Sequence, residues 1–174
     1  MGKRSNFERV ERDFYPTPYE AVVPLLRHLP PETKFIEPCA GDGRLIRHIE
    51  RHGHQCVYAC DLEPQGPGID QRDVLFFDAG FPPCDLVITN PPWDRDILHA
   101  MIRRFTDHAD TWLLFDSDWM QTVQAAPFEA MCLDIVSVGR VKWIEGTDNT
   151  GMDNCSWYLF SRHGGGPPRF HFRA

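Results

Sequence analysis

Three absences narrow this chain before any motif is read. No apolar run approaches the ~20 residues of a membrane span, and Met1-Gly2-Lys3-Arg4-Ser5-Asn6 lacks the apolar core of a signal peptide. A cytoplasmic protein is expected. No Cys-x-x-Cys pair exists among Cys39, Cys56, Cys60, Cys84, Cys132 and Cys155. Most of these lie in or beside apolar runs, where free cysteine behaves as a small core residue. Cys56 and Cys60, four apart in one strand, are too far apart to chelate together, so no metal is expected. Positive charge is also in deficit, with a formal net charge of −7. That disfavours binding nucleic acid through bulk charge, because phosphate contacts supply much of such affinity. The cations present gather at Lys3, Arg4, Arg9 and Arg12, at Arg44, Arg47 and Arg51, and at Arg103 and Arg104. No repeat or linker interrupts the 174 residues, which suit one compact domain.

What is present alternates between two periods. Residues 1–12 are charged and aperiodic, an exposed basic arm. Tyr15-Pro16-Thr17-Pro18 is held extended by its prolines; Thr17 is placed to cap a helix over 19–28, with Pro18 at its first position. Residues 34–43, Lys34 through Glu37-Pro38-Cys39-Ala40-Gly41-Asp42-Gly43, read as strand, tight turn and helix start. Gly41 and Gly43 permit positive φ and close approach of a ligand. A helix to residue 50 and a strand over 55–60 follow, ending at Asp61. An acid about 20 positions after a glycine turn is placed for ribose hydroxyls. The pattern is G-x-G without a third glycine, which favours a nucleoside-type cofactor over a dinucleotide.

Residues 63–71 read as a Pro/Gly loop, and Asp73-Val74 begins a short strand end or loop near the cofactor edge. Residues 85–88 are a buried strand, 94–108 a helix with an apolar stripe of Ile97, Leu98, Met101, Ile102 and Phe105, and 111–115 a strand. A helical stretch over 119–129 is interrupted by Pro127. Strands over 132–138 and 156–160, separated only by a polar glycine-bearing loop, are expected to form a hairpin. The domain is expected to span 13–162, and 163–174, rich in glycine and proline, to be a flexible tail. Strands alternating with helices imply a doubly wound, mostly parallel α/β sheet.

The chemistry concentrates at Thr89-Asn90-Pro91-Pro92-Trp93, where a buried strand ends. Open α/β sheets bind ligands at that edge. Each proline fixes φ and removes an N–H, leaving carbonyl acceptors beside one amide and one aromatic face. Such a turn suits a planar amino group whose ring stacks on Trp93.

Asn90-Pro91-Pro92-Trp93, with the glycine turn before it, resembles the amino-methylating class I S-adenosylmethionine-dependent methyltransferases. Their hallmark is an (Asp/Asn/Ser)-Pro-Pro-(Tyr/Phe/Trp) turn. Tyr15-Pro16-Thr17-Pro18 and Lys142-Trp143-Ile144-Glu145-Gly146…Trp157-Tyr158 are most similar to small phage and prophage DNA N6-adenine methyltransferases. The resemblance runs from Tyr15 to Phe160 and implies a seven-stranded Rossmann-like sheet with a terminal antiparallel hairpin. It implies S-adenosyl-L-methionine as cofactor: Tyr15, Thr17 and Pro18 walling its methionine end, Glu37, Pro38, Cys39, Ala40, Gly41 and Gly43 holding the amino-acid moiety, Asp61 on the ribose, Leu62, Asp73 and Val74 at the adenine, with Asn90 also in contact. Asn90, Pro91, Pro92 and Trp93 would be catalytic, and Trp93 and Trp143 would hold the base. The implied partner is DNA in a bacterial host cytoplasm, single-stranded or with the base flipped from a duplex, homodimerisation being left open. Adenine in RNA and glutamine N5 in a protein present the same planar NH₂ and stay open as acceptors, as does a non-catalytic cofactor-binding decoy.

Overall fold

A computed structural model describes residues 15–76, 80–143, 151 and 153–173. The basic arm and loop positions 144–150 lie outside the described residues. Eight strands form one sheet: β1 (Lys34–Glu37), β2 (Gln55–Asp61), β3 (Asp70–Gln71), β4 (Leu86–Thr89), β5 (Asp110–Asp116), β6 (Cys132–Gly139), β7 (Cys155–Phe160) and β8 (Arg169–His171). Their order is β3-β2-β1-β4-β5-β7-β6-β8. β1, β2, β3, β4 and β5 run parallel, β7 is antiparallel to both β5 and β6, and β8 runs parallel to β6.

Alternating side chains send two cores to opposite faces. Phe35, Ile88, Trp112, Leu114, Val136 and Trp157 pack against helices α1 (Tyr19–Leu26) and α2 (Arg44–Glu50). Their neighbours Ile36, Val87, Leu113, Phe115 and Tyr158 pack against α3 (Arg95–Thr106) and two 3₁₀ segments, Ser117–Gln121 and Val123–Met131. β4 and β5 are covered on both faces, which is why they read as unbroken apolar runs. The indole N–H of Trp157 donates to the Ala21 carbonyl at 2.8 Å, tying α1 to the sheet.

Several expectations need correction. The sheet has eight strands instead of seven: β3 falls inside the expected 63–71 loop and β8 inside the expected flexible tail, while the stretch after Asp73 is a turn and not a strand. β8 is held by Asp134, which accepts from Arg169 at 2.9 and 2.7 Å and pairs with His171 at 2.7 Å. The helical stretch after β5 consists of two 3₁₀ segments that meet at Thr122, and the second runs through Pro127 without the expected interruption. Thr17 does not cap α1: Pro18 occupies the cap position, with no side-chain bond. Asp94 caps α3, accepting from the Asp96 and Ile97 N–H groups.

Candidate active site

The carboxyl ends of β1, β2 and β4 surround a cavity of about 590 Å³, within the size range of small-ligand sites. The glycine turn forms its floor. Gly41 (φ 53°) and Gly43 (φ 74°) occupy the left-handed region. The turn is bolted down by Ala40 N–H to the Cys60 carbonyl (3.0 Å) and Gly41 N–H to Asp61 Oδ2 (2.8 Å). Gly66 lies so close that an added Cβ would sit 2.7 Å from the Asp42 carbonyl oxygen, so the 63–68 loop packs directly on this turn.

Two carboxyls stand in the wall. Glu37 is buried, and its Oε2 has no hydrogen-bond partner among the described residues. Burial raises its pKa well above the usual carboxylate range, the charges of Asp61 and Asp42 raise it further, and the Ile46 N–H and Arg47 oppose this. Asp61 is also raised by burial, against the Gly41 and Leu62 N–H groups. Its two oxygens accept from Gly41 and Glu63 N–H at 2.8 Å each, yet a carboxylate offers about four acceptor sites, so capacity remains for a ligand hydroxyl. Asp73 Oδ1 accepts from Leu75 N–H at 3.0 Å, and Val74 is buried beside it.

Tyr15, Thr17, Glu37, Pro38, Cys39, Ala40, Gly41, Asp61, Leu62, Asp73, Val74, Asn90 and Pro92 all line this cavity. Pro18 and Gly43 do not reach it: they cap α1 and α2. Sequence reasoning missed Asp42, Glu63, Gln65, Arg72, Leu75, Ile97 and Met101, which also line it. Ile97 and Met101 were legible only as an apolar stripe. Ile97, the most exposed of that stripe, turns out to face the cavity instead of the core.

At the far rim, Asn90 follows β4. Its Nδ2 donates to Thr17 Oγ1 at 3.2 Å and to the Tyr15 carbonyl at 3.4 Å, while Trp93 Nε1 donates to its Oδ1 at 3.4 Å. A carbonyl can only accept and an indole N–H can only donate, so the amide has one consistent orientation. Oδ1 keeps a second lone pair. The Pro91 carbonyl takes no backbone hydrogen bond among the described residues. Trp93 meets Trp143 edge-on at a centroid distance of 5.9 Å, and Tyr15 lies 6.4 Å from Trp143. Trp93 and Trp143 do not line the cavity; Trp93, three positions beyond Asn90, stands beside its Asn90 end.

No family model and no curated protein matches this sequence. Solved structures do. A candidate RNA methyltransferase from Pyrococcus horikoshii superposes with a TM-score of 0.62 at 15% identity, over 91% of this chain and 92% of that one. A candidate class I S-adenosylmethionine-dependent methyltransferase from Listeria monocytogenes gives 0.61 at 12%, over 96% and 67%. The M protein of the type I restriction enzyme EcoKI gives 0.60 at 12%, with 84% of this chain covering 43% of that one. The fold is that of the class I methyltransferases. In a methyltransferase fold, the floor, the two wall carboxyls and the Asn90 rim fit S-adenosylmethionine: the unpartnered Glu37 oxygen suits an ammonium, the spare Asp61 acceptors suit a ribose diol, and Val74, Leu75 and Ile97 suit a purine face. Burial pushes the cysteine thiols up, to about 12 at Cys56, Cys60, Cys132 and Cys155 and about 11 at Cys84, with Cys39 also raised, so none is a ready thiolate nucleophile.

Proposed function

We propose that this chain is an S-adenosylmethionine-dependent methyltransferase acting on the N6 amino group of adenine in DNA. The observation that carries the reading is the orientation of Asn90, whose Oδ1 is fixed by Thr17, Tyr15 and Trp93 where the cavity meets the two tryptophans. When bound, the cofactor supplies a methyl group activated by a sulfonium. Glu37 and Asp61 hold its amino-acid and ribose ends, with Leu62, Asp73 and Val74 at its base.

The protein's task is then to make an aromatic amine nucleophilic. In adenine the N6 lone pair is delocalised into the ring. Asn90 Oδ1 and the Pro91 carbonyl accept its two N–H bonds, draw the nitrogen toward tetrahedral geometry and turn its lone pair toward the cavity. Alignment of this kind is worth on the order of 7–11 kcal/mol at its best. Pro91 and Pro92 hold the acceptors without backbone donors that would compete. Trp93 and Trp143 stack on or wall the base, which must leave any duplex first.

RNA is the second reading, favoured by the Pyrococcus horikoshii structure, which is superposed over nearly its whole length. The two separate when the protein is incubated with labelled S-adenosylmethionine and, in parallel, duplex DNA, single-stranded DNA, RNA and a release factor. Label in DNA is expected; label in RNA or protein alone refutes the DNA assignment. Cofactor binding with no transfer to any acceptor indicates a decoy.

A further inference from the structure

An acidic chain that methylates DNA must still hold a polyanion, and its cations are not spread evenly. Within β6, β7, β8 and their flanks, the described charges are Arg140, Lys142, Arg162, Arg169 and Arg173 against Asp134 and Asp153. Two of these cations are committed: Arg169 binds Asp134, and Arg162 lies 4.0 Å from Asp107. Arg140, Lys142 and Arg173 are exposed, and no ion pair joins them to a carboxylate among the described residues.

Strand register places all three on the carboxyl edge that carries Asn90. Thr89 of β4 pairs with Leu113 of β5, Asp116 of β5 with Cys155 of β7, and Cys155 with Gly139 of β6. Arg140 therefore leaves the sheet at the level of the catalytic turn, and Lys142 stands beside Trp143, which touches Trp93. β8 runs parallel to β6, so its end points at the same edge. It delivers Arg173 across Gly139: a Cβ on that glycine would lie 2.8 Å from Arg173 Nη1. The φ of 84° at Gly139 likewise suits only glycine there. Arg27 Nη2 donates to the Phe172 carbonyl at 3.0 Å and anchors this end. Of the carboxylates near this edge, Glu20 Oε1 accepts from the Lys142 backbone N–H at 2.8 Å and Asp116 pairs with Arg95 at 3.0 Å.

We infer that Arg140, Lys142 and Arg173 form a phosphate-binding row, running outward from the Trp93–Trp143 pair, that holds the backbone of the DNA strand whose adenine enters the site. The inference rests on the proposed function. The tryptophans contact bases, which stack on aromatic faces; the row contacts the phosphates of the flanking nucleotides. At the cavity end of the same edge, Asp61, Glu63 and Asp73 outnumber Arg72 among the lining residues, which disfavours the strand there and sets its direction of approach.

The test is fluorescence anisotropy of a single-stranded, adenine-containing oligonucleotide over a salt series. It compares the full chain, the triple variant Arg140→Gln/Lys142→Gln/Arg173→Gln, and a control of equal charge change at the opposite edge, Lys34→Gln/Arg51→Gln/Arg162→Gln. For the row variant, affinity should fall at least about tenfold and the slope of log K against log salt should flatten by about 2, while S-adenosylmethionine binding stays unchanged. The control should bind DNA like the parent. If the row variant keeps parental affinity and slope while the parent methylates DNA, the row is wrong and the function stands. A parent that binds no DNA overturns both, and equal losses in the row and control variants reduce the row to bulk charge.

Discussion

At the scale of single residues, the proposed chemistry depends on Asn90 and the groups that aim it. Thr17 is buried and gives its hydroxyl oxygen to Asn90 Nδ2. Thr17→Val keeps the volume and removes that acceptor. One hydrogen bond is worth about 0.5–1.5 kcal/mol, so kcat should fall up to about tenfold with little change in cofactor affinity, and Thr17→Ser should restore it. Steady-state kinetics with both substrates varied checks this. Glu37 gives a prediction of opposite character. Its pKa is raised in the folded protein, so the stability it contributes is full at low pH and is lost as pH rises from the ordinary carboxylate range through its raised value. Glu37→Gln should flatten that decline, so the cofactor-free variant gains stability relative to the parent as pH rises. Its S-adenosylmethionine affinity should drop, because no carboxylate remains for the ammonium. Thermal melts against pH, with and without cofactor, report both. The residue-level chemistry was only half legible in sequence. Asn-Pro-Pro-Trp announces itself because prolines and an aromatic around one amide have a local meaning. Thr17 looked like a helix cap because its real partner is 73 positions away.

At the scale of elements, legibility followed hydrophobic period. β1, β2, β4, β5 and the β6–β7 hairpin each carry enough apolar side chains to declare a strand. β3 is two exposed polar residues, and β8 is Arg-Phe-His on an edge. Neither has a periodic signal, and each exists because a neighbouring strand offers unpaired backbone groups. β8 depends in addition on Asp134, whose cost of burial is outweighed by the hydrogen bonds of Arg169 and His171, so that its pKa is lowered. Its contribution to stability is therefore present above the ordinary carboxylate pKa and lost as pH falls through the lowered value. Asp134→Asn removes charged hydrogen bonds worth about 1.5–3 kcal/mol, and should lower Tm by several degrees at neutral pH. The deficit should shrink as the solution is acidified. Hydrogen exchange should show the loss confined first to Arg169, Phe170 and His171.

At the scale of the molecule, a net charge of −7 conceals a division of labour. The half of the sheet running from β3 to β4 encloses a cavity in whose lining carboxyls outnumber cations, and the half running from β5 to β8 carries Arg140, Lys142 and Arg173, without ion pairs among the described residues, on its carboxyl edge. The sum could be read from sequence, but the division could not, because it depends on strand order: β7 inserts between β5 and β6, and β8 is added beyond them. The same order brings Asn90, Trp93 and Trp143 together, although Trp143 is 50 positions from Trp93.

The most direct test of the central claim measures N6-methyladenine by mass spectrometry in the DNA of a methylation-deficient host expressing either the parent chain or Asn90→Ala. The parent should deposit the modified base. The variant should lose about a hundredfold or more of that activity, the scale typical for one positioned hydrogen-bonding group, while the purified protein still binds S-adenosylmethionine. No N6-methyladenine from the parent, or equal amounts from both, would contradict the assignment of Asn90 as the acceptor that activates adenine.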